Sequence, residues 1–344
     1  MHRRASVERE VPQCNKWCFK HERPWTVKCN FLRCSGCDPC ASSTSTPKAL
    51  CPMDSARNPT LTMCCRKDGF GAQYMALISV YAFAIFTNRT FCASPFGAVG
   101  HFTKRGRAMP LDAQELYSFV GGPSFGPLAA PTTPMKYSAT PELLRHAAPD
   151  AVPYLQVADL ARRFYDAAAG KKPVLRHFQR GQYNVVLHLR SGDVGPGGTL
   201  YAAQASSKRS KWVPQAKVTS CVRAVMQRAP RNAVLHVFSQ GNRSEFGYLS
   251  RWKPLLHLEA PTDAAIVRSD VAAVTRTVKS IFHHMVEANL LITARSSLSL
   301  AAAFLSRGRV FSADLSCAAP GRCVSTDPTE HLVDAIMRRL EPCR

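Results

Sequence analysis

The chain has 344 residues, 46% hydrophobic and 20% charged, as ordinary folded proteins do, and its length suggests two or three domains. Its 45 Lys and Arg against 23 Asp and Glu leave a net charge of +22, which favours acidic partners: nucleic acid, acidic glycans, membrane headgroups or a nucleotide sugar. The basic residues are scattered, however, with short clusters at 104–107 and 208–211. Without a basic helix or interleaved aromatics there is no nucleic-acid-binding pattern, and a solvated basic surface accounts for most of the charge.

Residues 1–10 predict disorder and lack the hydrophobic core of a signal peptide. Of the 14 cysteines, nine lie between positions 14 and 65, and six of these (Cys14, Cys18, Cys29, Cys34, Cys37, Cys40) fall within 27 residues. Such density predicts a disulfide-stapled module over residues 11–41, made in an oxidising compartment. The Cys34, Cys37, Cys40 spacing would also suit zinc together with Cys29 or His21. Trp17 and Trp25 would pack over the bridges or contact sugar rings. Residues 42–60, opening on a Ser/Thr run, read as a linker. Two sequons, Asn88-Arg89-Thr90 and Asn242-Arg243-Ser244, are compatible with the secretory route. The expected location is the ER or Golgi lumen, with membrane attachment only through a leader or anchor outside this chain.

From position 61 the composition turns apolar, and residues 61–180 are expected to form a first Rossmann-like half. Asp68-Gly69-Phe70-Gly71 is a glycine turn opening an apolar helix over 72–86, and its 13-residue apolar run at 74–86 is too short to span a membrane. Residues 90–93 suggest a short strand. Residues 94–150, rich in Gly and Pro, read as loops with short helices. A helical stripe of Leu160, Phe164 and Ala168 marks 157–169. The second half, 181–344, predicts a strand ending at His188, a helix over 213–228, a strand over 233–238 and a third strand at 255–258. A helix over 280–288, a strand over 290–293 and a helix over 299–306 follow. Strands alternating with helices predict a mostly parallel sheet. There is no internal repeat.

The string Asn184-Val-Val-Leu-His-Leu-Arg-Ser-Gly-Asp-Val194 is the most informative in the chain. An apolar strand delivers His188, Arg190 and Asp193 to its own exit, where open α/β sheets hold ligands. The planar fork of an arginine grips phosphate with two parallel hydrogen bonds. Arg190 could also simply pair with a nearby aspartate. Two further strand exits share this chemistry: Ser239-Gln240-Gly241 and Arg295-Ser296-Ser297-Leu298-Ser299. The last is a strand-to-helix junction whose amides favour phosphate, although its serines could serve as plain caps. Three such exits in one half point to a diphosphate.

These residues resemble the H-x-R-x-G-D-V motif of the fucosyltransferase superfamily that includes the α1,2-, α1,6- and protein O-fucosyltransferases. Leu160-Ala-Arg-Arg-Phe-Tyr165 is similar to the helix before that motif, and Val237-Phe-Ser-Gln-Gly241 to a second nucleotide-side strand. Phe282-His-His-Met-Val-Glu-Ala-Asn289 and Arg295-Ser-Ser-Leu-Ser299 resemble the helix and serine loop that close the donor site. Gly69-Phe-Gly-Ala-Gln73 through Asn88-Arg-Thr90 resembles the first loop and helix of the other half. The resemblance spans roughly residues 66–315.

It implies a GT-B-type α/β fold, two Rossmann-like halves facing across a cleft, with GDP-fucose on the C-terminal half and a glycan or glycoprotein acceptor. It implies inversion at the anomeric carbon without a metal or other cofactor, and no nucleic-acid partner. Arg190 would hold the β-phosphate and stabilise departing GDP, with His188 lining the nucleotide pocket. Ser296 and Ser297 would donate to the diphosphate, and Ser239 would sit near the nucleotide. Gly69, Phe70, Gly71 and Gln73 would face the acceptor or sugar. Two departures stand out: Ser191 replaces the second Arg of the usual pair, and Asn289 stands where Asp is common. Asp193 could take the acceptor's proton or merely orient Arg190. Glu259 or Asp263 could read the guanine. The cysteine module resembles short W/C-rich modules beside glycosyltransferase-like domains. The rival expectations are a carbohydrate- or protein-binding relative without turnover, and a zinc- or nucleic-acid-associated factor.

Overall fold

The computed structural model describes residues 69–86, 91, 93, 95–97, 99–102, 108–124, 154–168, 172–191, 213–240, 242–258, 270–294, 296–313 and 341–342. The cysteine module with its six cysteines, the linker, the Asn88 sequon, Asp193, Glu259, Asp263 and Arg295 lie outside these residues.

The first element, α1 (Phe70–Phe86), is capped by the Gly69 carbonyl, which accepts from the amides of Ala72 (3.0 Å) and Gln73 (3.1 Å). Its sequence is apolar on every side, so it cannot lie on a surface. Tyr74, Met75, Leu77, Ile78 and Phe83 are all fully enclosed. Its one buried serine, Ser79, donates back to the Met75 carbonyl at 2.8 Å, which satisfies the hydroxyl without leaving the helix. No helix among the described residues is long and apolar enough to cross a membrane. The Gly/Pro-rich stretch that suggested loops holds an antiparallel hairpin, β1 (Val99–Phe102) with β2 (Ala108–Leu111). Helix α2 (Ala113–Phe119) follows, capped by Asp112 through the Glu115 amide at 2.8 Å. It ends at Gly121, whose φ of +76° supplies the left-handed turn, and a Cβ there would strike the Phe164 carbonyl. Helix α3 (Tyr154–Ala167) closes the N-terminal portion.

The second portion is an open sheet of six parallel strands: β3 (Tyr183–Leu189), β4 (Ala233–Ser239), β5 (Leu255–His257), β6 (Leu290–Thr293), β7 (Arg309–Ser312) and β8 (Glu341–Pro342). Between them come α4 (Gln215–Arg228), a 3₁₀ segment (Arg243–Trp252), α5 (Val271–Val286) and α6 (Ser297–Leu305). Helix α5 begins nine residues earlier than the expected 280, because Asp270 caps it through the Ala273 amide (2.8 Å). Its first half interleaves Thr275, Arg276 and Lys279 with buried Val274 and Val278, which blurs the apolar stripe in sequence.

The strands run in the order β5-β4-β3-β6-β7-β8. Counted along the chain within this sheet, that is 3-2-1-4-5-6, the order of a doubly wound dinucleotide-type fold. Building outwards from β3 first to one side and then to the other, right-handed crossovers place helices on opposite faces. One face, carrying Val185, Leu187, Val237 and Ile292, is covered by α4 and the 3₁₀ segment. The other, carrying Val186, Phe238 and Leu291, packs on α1, α2, α3, α5 and α6. Both faces being covered explains why β3 is apolar throughout rather than alternating. The second core includes residues on both sides of position 180, and residues 51–344 form one compact unit. A second parallel sheet is not among the described residues.

Candidate functional site

In a sheet of this order the chain leaves β3 and β6 in opposite directions, and the crevice between their carboxyl ends is the natural ligand site. Register shows what reaches it. Leu189 lies opposite Ser239, Leu187 opposite Ile292, and Thr293 opposite Ser312. Arg190 and Ser191, directly after β3, therefore stand at the same edge as Ser239 and the turn from Thr293 into α6. The three expected strand exits thus share one edge of one sheet. His188 and Ser239 are buried, and Arg190 is half-buried at the exit.

The turn into α6 has a particular form. Ser296 has an extended backbone (φ −123°, ψ 125°) and caps the helix with its carbonyl, which accepts from the Leu300 amide at 3.0 Å. Its side chain makes no capping bond. The Ser299 hydroxyl instead turns back to the carbonyls of Ser296 (3.1 Å) and Ala294 (3.4 Å). The first-turn amides of a helix have no partner inside it, so α6 presents donors and a positive dipole end at the crevice. Ser297 is partly exposed beside them.

A second helix start meets this one. A Cβ at Gly71 would lie 2.4 Å from the Leu298 nitrogen and 2.5 Å from the Ser297 carbonyl carbon, so the first turns of α1 and α6 touch through backbone alone. Two helix N-termini and the β3 exit consequently share this corner, and all favour negative charge.

The resemblance would turn Phe70 and Gln73 towards an acceptor; their side chains instead point inwards. Phe70 meets Phe282 edge-on (5.2 Å between centroids) and Phe96 (5.9 Å), and Gln73 Oε1 accepts from the Gly97 amide at 2.9 Å. Both hold the α1 start in place. Gly69 is half-buried and Gly71 buried at the corner itself.

The segment 282–289, expected beside the donor, sits at the opposite end of the sheet, because it leads into the first residue of β6. There Arg162 ties three elements together. Its guanidinium donates to Asp166 (2.9 Å), to the Leu305 carbonyl (3.0 Å) and to Glu287 (2.6 Å). Tyr165 shares a 2.8 Å hydrogen bond with His283 Nδ1. Asn289 Oδ1 accepts from the Asn184 amide at 2.8 Å, which pins β3 to the start of β6. An acceptor oxygen is all that this position needs, so the Asp-to-Asn departure costs nothing there.

One cluster escaped the sequence reading. His236 on β4, His257 on β5, His284 on α5 and His177 before β3 pack together beside Phe178 and Phe238. His236 Nδ1 and His257 Nε2 are 3.0 Å apart, His236 Nε2 is 3.1 Å from Asn184 Oδ1, and the His177 and His257 rings are 4.0 Å between centroids. The His177 amide donates to His284 Nε2 at 3.3 Å, while His284 Nδ1 is 2.7 Å from the Ser280 carbonyl. Burial first, and the neighbouring His284 and His177 rings next, pull His236 down to about 4; burial and His177 pull His257 to about 3. Four histidines spread over 108 positions give no local pattern, and only the fold assembles them. Among the described residues no group of three or more His, Cys, Asp or Glu is arranged to hold a metal ion.

No family model matches the chain, and no curated protein does. Among solved structures, the fucosyltransferase NodZ from Bradyrhizobium is similar with a TM-score of 0.38 and 11% identity, over 75% of this chain and 96% of that one. NodZ α-1,6-fucosyltransferase soaked with GDP-fucose gives 0.38 and 12%, over 76% and 96%. The same enzyme co-crystallised with GDP gives 0.37 and 12%, over 75% and 95%. Likenesses this distant carry no weight on their own, and the site rests on its own geometry.

Proposed function

We propose that the chain is an inverting glycosyltransferase that takes fucose from GDP-fucose and passes it to a glycan or glycoprotein acceptor. The observation that carries this reading is the 3-2-1-4-5-6 sheet, with Arg190 and the Ser296–Ser297 helix start on either side of its switch point. In this reading the diphosphate lies across the crevice. Arg190 pairs with the β-phosphate while the α6 amides and Ser297 donate to its oxygens. As the sugar–phosphate bond breaks, negative charge grows on GDP, and fixed donors already aimed at that position lower the barrier. Asp193 is assigned to receive the acceptor's proton. In this reading the acceptor approaches from the N-terminal half of a GT-B-like enzyme, residues 61–180. The reaction as proposed uses no metal: Arg190 and the two helix dipoles supply positive charge.

The test is ligand-dependent thermal stability. GDP and GDP-fucose are expected to raise Tm, and UDP and ADP to leave it unchanged, since a ligand that binds only the folded chain stabilises it by mass action. The purified chain should also release GDP slowly from GDP-fucose, and Arg190→Ala should slow that release about 100- to 1,000-fold. No Tm response to any nucleotide would overturn the proposal. A response to GDP-fucose without any GDP release would favour a binding protein that has lost turnover.

A further inference from the structure

We propose that Asn242 is a site of N-linked glycosylation. The triplet Asn242-Arg243-Ser244 has the required Asn-x-Ser form with no proline between. All three residues are exposed. Asn242 sits at the entry to the 3₁₀ segment with extended backbone (φ −83°, ψ 153°), and its side chain makes no capping bond. Among the described residues only its backbone is engaged, the carbonyl accepting from the Glu245 amide at 2.9 Å. The segment is anchored further along by buried Phe246 and Leu249, so a bulky substituent at its first residue disturbs no packing. Asn242 therefore differs from Asn184 and Asn289, whose amide groups are committed to the sheet.

A second observation fixes the chemical setting. Cys221, buried on α4 in the same core as Phe246 and Leu249, is disulfide-bonded. Disulfides persist in oxidising compartments, and the lumen in which they form is also where asparagine is glycosylated. The exposed sequon and the disulfide thus place the same corner of the fold in one chemical history.

The step itself balances with a single donor class, an oligosaccharide carried on a lipid pyrophosphate. Asn242 Nδ2 forms a bond to the sugar's C1. The C1–O bond to phosphate breaks with its electron pair leaving on the lipid pyrophosphate, and one amide proton passes to a base of the transferring enzyme. The glycan then stands three residues beyond Ser239, on the carboxyl edge of the sheet.

The full chain, expressed behind a cleavable secretion leader in mammalian cells, should yield a peptide in which Asn242 carries a glycan. Release with peptide N-glycosidase should convert Asn242 to Asp by mass. Asn242→Gln and Ser244→Ala should each lose the modified peptide, and Ser244→Thr should keep it. Because the sugar is added to the nascent chain, occupancy is also read on chains that never leave the cell, so misfolding of a variant does not blind the test. Reading the peptide itself separates Asn242 from the Asn88 sequon. An Asn242 peptide recovered wholly unmodified overturns the proposal. The nucleotide reading is untouched by either result, since Tm shifts with GDP are measured on the same chain after glycan removal.

Discussion

At Gly71, a hydrogen in place of a side chain is what lets α1 rest on the backbone of α6, and a methyl group would lie 2.4 Å from the Leu298 nitrogen. The obstruction is backbone and cannot rotate aside. Gly71→Ala is therefore expected to lose about 1–3 kcal/mol of stability in urea unfolding. It should also blunt the GDP-induced rise in Tm, because the two helix starts would be pushed apart. Tyr74 poses the converse case. Its hydroxyl is fully buried with no hydrogen-bond partner among the described residues, and burial pushes its ionisation far above the usual tyrosine range. A buried hydroxyl without a partner keeps its desolvation cost, so Tyr74→Phe should stabilise the chain by up to about 1 kcal/mol. Equal or lower stability of that variant would show that the hydroxyl is satisfied in solution. At the proposed site, Arg190→Ala should cut GDP release about 100- to 1,000-fold, the range for removing one donor to a developing negative charge.

The elements divide according to how local their causes are. Strands β3, β4 and β6 were plain in sequence because each is a short β-branched or leucine-rich run that must be buried on both faces. The helix before β3 was plain because Leu160, Phe164 and Ala168 recur on one side. The hairpin β1–β2 was not legible, since Gly100 and Pro110 speak against strands and only pairing between the two segments creates them. Nor were β7 and β8, four and two residues long, which owe their conformation to the neighbouring strand. The shared sheet edge of Arg190, Ser239 and Ser296 was legible because each stands at or just after the end of an apolar strand. The sequence was misleading where residues from the same motifs serve packing, as with Phe70, Gln73 and Glu287. Arg162 illustrates the difference. It reads as one of two arginines on a helix, yet it joins α3 to the ends of α5 and α6 through Glu287 and the Leu305 carbonyl. Because Arg162 is buried and all three partners, Asp166 included, are carboxylates or a carbonyl, Arg162→Met should cost about 1–3 kcal/mol. As the network lies at the far end of the sheet, the same variant should leave affinity for GDP unchanged at temperatures where it is folded. A large loss of GDP affinity in the folded variant would contradict that separation.

Over the whole molecule, the histidine cluster couples folding to acidity. His177, His236, His257 and His284 face one another across β4, β5, α5 and the segment before β3, with the Arg176 guanidinium as a cationic neighbour of His257. His283, on the far side of α5 against Tyr165, is held at about 4 by burial and by Lys172. In the unfolded chain each of these side chains titrates near 6.5. Folded, His236, His257 and His283 stay neutral until the pH is far lower. Below about 6.5 the unfolded chain therefore binds protons that the folded chain refuses, and stability drains as pH falls from there towards the folded values. The slope is at most about 1.4 kcal/mol per pH unit for each histidine. Urea midpoints measured from pH 7.5 to 5 should fall steadily below pH 6.5 and be flat above it as far as these groups are concerned. His236→Asn keeps a group able to hydrogen-bond His257 but cannot take a proton, so it should flatten the slope by about one proton while lowering stability at pH 7.5 only slightly. A midpoint independent of pH across this interval, or one unaffected in slope by His236→Asn, would mean that the cluster opens to water before it charges.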